Sequence, residues 1–516
     1  MKLLHHWWTA RRDEPVMRGG LTLPRHKPGL PVNGEIATLV MPDRLVLPLL
    51  DYHGRRLLPV VSVGQRVDYG ESLAPGLIAS ASGSVIAIEP RPVMHPSGRS
   101  ELCVVIRPDE NGTVESAVHE AVPELTEQRL ATCGVTGLGG AGFDTASKVH
   151  KATQHGEQLD TLLINAVECE PMISCDESLM MCHATEIIDA IASLMTMTHC
   201  KRCVIAIEND KHAAIAALRQ ALDLRPLALT LQPLAPVYPA GAERQLVERI
   251  TGQLLFAGER PTHRGILCIN VATALAARQS QLGFPMTSRI VTLAGRSVDE
   301  PVNVRVRFGT SVAEVLRQTG NKPSLASHQV RTGGPLSGFD LASLEAPVTA
   351  TTNSIIVQPV QPTVEPLPCI RCDRCSDVCP AGLLPQQLLW YARAEDLAGS
   401  RRFGLDSCIE CGCCDLVCPS GISLTQTFRH ARDSQREQRH RDQLADAAEL
   451  RFHKREDRLA QRQAARERRR QDARAKLIGD SDAIGDALAR ARRRRQRHER
   501  PGQSGDHATP SHDGDS

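Results

Sequence analysis

The sequence predicts a multidomain α/β protein, and three observations lead there. Its 516 residues exceed what a single ordinary core serves. Strand-like and helix-like hydrophobic periods alternate between residues 125 and 275. Two copies of one cysteine pattern stand at 369–380 and 408–419, behind the Pro-rich stretch "QPVQPTVEPLP".

The elements follow in order. Residues 1–34 read as an N-terminal extension; "MKLLHHWWTARRDE" has basic residues soon after its few apolar ones, unlike a secretory signal. Residues 35–120 read as short strands. Val61 and Val63 recur at period two, Val85 and Ile86 form a second apolar pair, and glycines 64, 70 and 83 mark bends. This segment resembles the barrel-sandwich fold of biotinyl and lipoyl domains, but its hairpin "SASGSV" has no lysine to carry either group.

Residues 121–285 read as an α/β domain. "TLLIN" (161–165) and "CVIAIE" (203–208) are strands, Ile187, Ile188, Ile191 and Met195 mark a helix, and "HAAIAALRQAL" is another. Strand, helix, strand at this spacing implies a parallel sheet covered on both faces. Residues 286–357 return to β. Val302, Val304, Val306 and Phe308 alternate with Asn303, Arg305 and Arg307, which predicts a half-buried strand. Residues 358–368 are a stiff linker, 369–425 a cysteine module, 426–500 a charged helix and 501–516 a disordered end.

Composition narrows the function classes. Hydrophobic residues are 41% and charged residues 23%, which suits folded material. Net charge is +2 and aromatics are 3%, so neither a strong polyanion-seeking field nor an array of base-stacking platforms is indicated. No apolar run reaches the roughly 18 to 20 residues of a bilayer span. With an odd 17 cysteines and no secretory signal, a reducing cytosolic setting is expected, where clustered thiols more often bind metal than pair.

The two cysteine runs are Cys369, Cys372, Cys375, Cys379 with Pro380, and Cys408, Cys411, Cys414, Cys418 with Pro419. Each reads C-x2-C-x2-C-x3-C-P, the pattern by which bacterial ferredoxins hold cubane iron–sulfur clusters. In that pattern the fourth cysteine of one run reaches the cluster of the other. One [4Fe-4S] cluster should take Cys369, Cys372, Cys375 and Cys418, and the second Cys408, Cys411, Cys414 and Cys379. A zinc ribbon would leave the third cysteine and the proline of each run unexplained. Cys413 and the eight remaining cysteines (Cys103, Cys133, Cys169, Cys175, Cys182, Cys200, Cys203 and Cys268) read as small buried hydrophobes. Two cubanes shuttle single electrons, so electron carriage is expected, with no side chain needed as acid, base or nucleophile.

"GLGGAGFDTASK" (137–148) contains Gly137, Gly139 and Gly142 and satisfies G-x-G-x-x-G, but a helix and turn precede it where a dinucleotide fingerprint needs a strand. Its amides could cradle a phosphate with Lys148 as countercharge, or it is a bare flexible turn. "INAVECEPMISCDE" (164–177) puts Asn165, Glu168, Glu170, Asp176 and Glu177 at a strand end, where they could bind ribityl or ribose hydroxyls or be solvated loop carboxylates.

Taken in order, "RGGLTLPRHK", "GLGGAGFDTASK", "INAVECEP", "YPAGAERQL", "TGGPLSG", the paired cysteine runs and "RFHKREDRLAQRQAARE" resemble the RnfC family, the C subunits of Rnf electron-transport complexes. The resemblance spans about residues 15 to 470. It implies a peripheral subunit on the cytoplasmic side of the cell inner membrane, within an ion-translocating complex that passes electrons between NAD(H) and ferredoxin-like carriers. The middle region is similar to the flavoprotein subunit of respiratory complex I, and 286–357 to a β-grasp module. From that similarity Gly137, Gly139, Gly140, Gly142 and Lys148 would face the phosphate of FMN. Asn165, Glu168 and Glu170 would approach flavin or nicotinamide ribose, and Gly241 and Glu243 would lie nearby. The chain departs from the family pattern at Asp144, Ala166 and Met172, where Pro, Gly and Tyr are usual. An acidic Asp144 beside a phosphate loop is electrostatically unfavourable.

Residues 421–500 hold 23 basic and 13 acidic residues. Glu437/Arg441 and Asp472/Lys476 fall at i,i+4, as on a solvated helix. Contact with partner subunits or anionic headgroups is the other reading, and nucleic acid is not expected. The alternatives to the complex subunit are a free-standing soluble NADH diaphorase and a cluster-bearing nucleic-acid-binding regulator.

Overall fold

The computed structural model describes residues 17–23, 35–51, 54–109, 119–154, 159–225, 227–256, 258–362, 365–479 and 481–498. Most of the extension expected over 1–34, and the end at 501–516, lie outside the described residues. Residues up to Arg432 form one compact unit and those from Asp433 a second.

Strand β1 (Ile36–Thr38) is followed by β2 (Leu45–Pro48), β3 (Arg66–Val67), β4 (Ser72–Ala74), β5 (Leu77–Ile78), β6 (Gly83–Pro92) and β7 (Ser100–Pro108). Strands β2, β7, β6 and β3 form an antiparallel sheet in that order, and β4 pairs with β5. Leu45, Leu47, Val67, Leu73, Val85 and Ile106 fill its core. Two details differ from the sequence pattern. Val61 and Val63 lie in no strand; Val61 faces the core and Val63 is exposed at a turn. β1 pairs with a strand beyond residue 300 instead of joining this sheet.

The α/β domain runs α1 (Glu127–Thr132), α2 (Thr145–Gln154), β8 (Thr161–Ala166), α3 (Cys175–Cys182), α4 (Ala184–Thr198), β9 (Arg202–Glu208), α5 (His212–Leu224), β10 (Leu229–Leu234), α6 (Glu243–Thr251), β11 (Ile266–Asn270) and α7 (Val271–Gln281). The sheet order is β10-β9-β8-β11, all parallel. Leu162, Leu163, Ile164, Ile205 and Ala206 are fully buried, as expected for strands covered on both faces. Helix α4 packs Ile187, Ile188, Ile191 and Leu194 onto the sheet, while Met195 sits at the margin. The chain moves outward from β8 to β10 and then returns to the other side of β8. The strand order therefore reverses between β8 and β11.

The next module contains β12 (Ser288–Ala294), β13 (Val302–Arg307), α8 (Val312–Gln318), β14 (His328–Thr332), β15 (Phe339–Asp340) and β16 (Ser354–Pro359). Its six-stranded sheet has the order β1-β13-β12-β16-β14-β15. The expected half-buried strand forms, with Val304 and Val306 buried and Arg305 and Arg307 partly exposed, but Asn303 departs from it and is fully buried. Helix α3 covers that face, and the Asn303 amide donates to Ser174 O (3.2 Å) and Ser178 Oγ (2.6 Å) while accepting from Thr292 Oγ1 (2.7 Å). The burial of a polar side chain is tolerated because its bonding capacity is used.

The cysteine module holds α9 (Arg374–Asp377), α10 (Pro385–Arg393), α11 (Leu397–Arg402), α12 (Cys413–Leu416) and the start of α13 (Leu424–Gly479). Leu388, Leu389, Leu405, Ile422, Phe428 and Ala431 form its core. Phe428 and Ala431 belong to the stretch expected as tail, so the cluster module extends past residue 425. From Arg436 to Lys476 α13 is exposed, and α14 (Ser481–His498) follows. The expected Glu437–Arg441 pair forms at 3.3 Å. Among the described residues, no single helix is long and apolar enough to cross a membrane.

Candidate functional site

Open parallel sheets bind ligands beyond the carboxyl ends of the strands, where the strand order reverses. That point lies between β8 and β11, and there Asn165 stands directly opposite Asn270. Asn270 caps α7, accepting from the amides of Ala272 (2.9 Å) and Thr273 (3.3 Å), and donates to Asp176 Oδ2 at 2.7 Å. The glycine loop rests on this cap. Leu138 N donates to Thr273 Oγ1 at 2.8 Å, and a Cβ on Gly139 would stand 3.2 Å from Asn270 Cβ. Gly140 (φ +99) and Gly142 (φ +64) hold left-handed conformations, and a Cβ on Gly140 would point into open space.

Asp144 is engaged at the start of α2. Its carboxylate caps α2, accepting from Ala146 N at 3.1 Å and from the Ser147 hydroxyl. Lys148 reaches into the crevice wall and donates to Glu243 Oε1 (2.6 Å) and Cys268 O (2.7 Å). Asn165 Nδ2 donates to Gly241 O at 2.8 Å. A Cβ on Gly241 would lie 2.6 Å from Val167 O, so only glycine permits these two loops to approach. Backbone amides, a cation and open space over Gly140 are what the phosphate end of FMN requires, and these residues fit it.

The two glutamates expected near ribose are engaged elsewhere. Glu168 is 7% exposed and accepts from Asp176 N (2.9 Å) and Glu177 N (3.3 Å) at the start of α3. Lys211 lies 4.0 Å from it and also donates to Glu177. Glu168, Cys175 and Asp176 bring their ligand atoms within 4.8 Å of one another, but helix amides and Lys211 satisfy Glu168, which makes this a buried helix cap. Burial and the neighbouring Glu168 push Asp176 up to about 7. Glu170 accepts from the amides of Leu336 (2.8 Å) and Ser337 (3.1 Å) and from Ser337 Oγ (3.1 Å), pinning the "TGGPLSG" loop.

Burial raises the Glu170 carboxyl above its ordinary value of 4.5, against the pull of those amides. A carboxyl raised in the fold contributes stability that is complete below the unfolded value and lost as pH rises through the folded one. Glu170→Gln should therefore gain in melting temperature relative to the wild type as pH rises from 4.5 toward neutrality. A difference independent of pH across that window would refute it.

The eight motif cysteines line two separate hollows. Cys369, Cys372, Cys375 and Cys418 line one, and Cys379, Cys408, Cys411 and Cys414 line the other. The two runs fold alike. Arg371 and Glu410, two residues after the first cysteines, and Asp373 and Gly412, directly after the second, all have φ between 56 and 74. These left-handed residues curl each loop around its hollow, at a backbone cost of about 1 kcal/mol for each non-glycine. Sulfur and apolar groups dominate the linings, a donor set suited to an iron–sulfur cube. Burial pushes the Cys408 thiol up to about 12, so ionisation there needs a metal to displace the proton. Cys413 is fully buried beside the second hollow. Of the cysteines expected as buried hydrophobes, Cys182 is exposed and Cys169 partly so.

Side chains from the crevice side reach the second hollow, and Gln245 Nε2 on α6 donates to Pro380 O in its lining at 3.2 Å. Tyr238, 3% exposed, donates from its hydroxyl to Cys411 O at 2.6 Å. Arg429 and Arg432 clamp the same loop through Glu410 at 3.0 and 2.7 Å. A Cβ on Gly412 would come 2.4 Å from Leu336 O, which seats the second run on the loop that Glu170 holds. The first hollow opens outward: Cys372 is exposed, and Leu367 and Ile370 are each 66% exposed.

Sequence reasoning missed Asn270, Thr273 and Tyr238. The signal for the first two was "INVAT" (269–273), a strand end running straight into an Ala-rich helix. Tyr238 opens the motif "YPAGAERQL", but nothing local marks its partner, which lies 173 positions away.

Three family models match parts of the chain. Residues 130–279 match the Nuo51 FMN-binding domain, residues 16–111 the RnfC barrel sandwich hybrid domain, and residues 368–422 the 4Fe-4S dicluster domain. The C subunit of the ion-translocating oxidoreductase complex of Serratia proteamaculans is 38% identical over 493 residues, covering 92% of this chain and 69% of its own. The proteins of that description from Pectobacterium carotovorum and Klebsiella pneumoniae are each 38% identical, over 88% and 94% of this chain and 62% and 66% of their own length.

Proposed function

Since the chain belongs to the family of the C subunits of ion-translocating oxidoreductase complexes, we propose that it carries electrons from NAD(H), bound at the β8–β11 crevice, through two [4Fe-4S] clusters to other subunits of such a complex. It is a peripheral electron-transfer subunit with FMN-binding and dicluster domains. Bound FMN supplies the conversion of a two-electron hydride into the single electrons a cubane accepts.

The chain's own residues hold and shield. The 139–142 amides and Lys148 hold the phosphate, the Gly137 amide being taken by Phe143 O; Asn165 and Asn270 shape the crevice floor, and the buried Tyr238 fixes the Cys411 loop against the crevice. The crossed sets Cys379/Cys408/Cys411/Cys414 and Cys369/Cys372/Cys375/Cys418 ligate the two clusters. The inward hollow is the entry cluster and the outward one the exit. The observation that carries this order is the Tyr238–Cys411 bond beside the crevice, set against the exposure of Cys372.

Ion movement belongs to partner subunits, and a ferredoxin-like carrier stands at the far end of the route. The location is the cytoplasmic face of the inner membrane. Anaerobic purification with iron, sulfide and flavin analysis, followed by optical spectra before and after NADH, tests the reading. About eight irons, bound FMN and bleaching by NADH are expected. Iron without flavin would leave only a wire, and zinc in place of iron would overturn the proposal.

The basic second unit offers contact to anionic headgroups, each basic residue near the surface contributing about 1 kcal/mol. Truncation must follow Arg432, because cutting at 425 would remove Phe428 and Ala431 from the cluster core. The shortened chain should keep its iron and lose salt-sensitive binding to anionic vesicles. Undiminished vesicle binding would exclude the tail as the membrane contact.

A further inference from the structure

The geometry points to the N-terminal "RGGL" segment (18–21) as a strap that positions the entry cluster against the flavin crevice. This rests on the reading above that electrons pass from the crevice to the Cys379/Cys408/Cys411/Cys414 hollow. Nothing in the chemistry of clusters or flavin requires the segment, yet it is threaded between the two domains.

On one side Gly20 N donates to Val378 O at 2.9 Å, and a Cβ on Gly19 would stand 2.7 Å from Cys379 O. On the other, Leu21 and Tyr238 exchange a pair of backbone bonds, Leu21 N to Tyr238 O at 2.8 Å and Tyr238 N to Leu21 O at 2.9 Å. A Cβ on Gly20 would lie 2.7 Å from that same Tyr238 O. Both glycines are left-handed, at φ +60 and +81. The strap therefore grips Cys379, the residue that crosses from the first run, and Tyr238, whose hydroxyl holds Cys411. The backbone at Cys379 is thus tied through the strap to the same residue, Tyr238, that holds the Cys411 backbone directly. Leu21 and its neighbours touch neither hollow, so these are positioning residues.

Full-length Gly19→Ala and Leu21→Pro chains, purified anaerobically, test the strap. Leu21→Pro removes the N–H that Tyr238 O accepts. Leu21→Ile keeps it and serves as the conservative variant. Gly252→Ala is the strain control, with φ +69 and nothing within 4 Å of its Cβ. Iron and FMN content and the rate of flavin bleaching by NADH should match the wild type in all four. The later reduction of the clusters, followed by rapid-freeze electron paramagnetic resonance, should slow at least about tenfold in Gly19→Ala and Leu21→Pro only, as small misplacements of reacting centres do. Hydrogen exchange should show the Tyr238 amide losing protection in the same two variants.

Cluster reduction as fast as in Gly252→Ala, or an unchanged Tyr238 amide, would overturn the strap. Loss of iron from the two variants would overturn it as well, making the segment part of cluster assembly. A wild-type chain whose flavin NADH bleaches while its clusters never reduce would sink the entry-cluster reading, and the exchange result would still decide whether the strap grips Tyr238.

Discussion

Replacing Cys379 with serine should perturb the cluster of the second cysteine run and leave that of the first intact. Cys379 follows three cysteines of the first run, yet it lines the hollow of Cys408, Cys411 and Cys414, with Leu383 N donating to its sulfur at 3.3 Å. Paramagnetic resonance of dithionite-reduced protein reads the outcome, because a serine ligand shifts the signal of the cluster it touches. Cys379→Ser and Cys408→Ser should alter one signal, and Cys418→Ser and Cys369→Ser the other. Cys379→Ala should lower iron from about eight to about four per chain and abolish NADH-driven reduction of an external one-electron acceptor. If Cys379→Ser and Cys369→Ser change the same signal, the crossed assignment is wrong.

The second large effect is expected at Lys148. Its ammonium is held between Glu243 Oε1 and Cys268 O. Lys148→Met removes the cation and leaves the Glu243 carboxylate facing the phosphate end. A charge-assisted hydrogen bond is worth about 1.5–3 kcal/mol, so FMN affinity should fall roughly ten- to a hundredfold. Adding Glu243→Gln to Lys148→Met should recover part of that loss by removing the repulsion. Iron content should not change, since neither residue approaches a hollow. Titration of flavin-free protein with FMN, followed by fluorescence quenching, measures both effects. Equal affinity in wild type and Lys148→Met would remove the phosphate role from this lysine.

Several features were legible because their causes are local. Three thiolates within seven residues must face one object, whatever surrounds them, and the glycine loop announces a backbone that lets something come close. The parallel sheet was legible from strand and helix periods, since burial on both faces leaves continuous apolar runs such as "TLLIN". Asn303 was not legible. Alternation along β13 described one face correctly, and the cover of α3 on the other decided the fate of a polar residue.

The acidic loop shows the same division. Its carboxylates were visible as a cluster, but which acceptor serves what depends on how the chain turns and, for Glu170, on donors far along it. Glu168 finds the first turn of α3, Glu170 finds amides 166 and 167 positions away, and Asp144 caps its own helix. Only the Asp144 cap, with partners two and three residues on, is of a kind that local spacing can mark.

By itself, then, the sequence determined the kind of groups this protein handles, because ligand type and local spacing are chemical requirements carried within a few residues. Only the tertiary structure decided where those groups stand relative to one another. Strand order placed the crevice between β8 and β11, and Tyr238 and the glycine strap brought one cysteine hollow to it while the other faced outward. Such proximities arise from packing between segments separated by hundreds of residues, and no local preference records them.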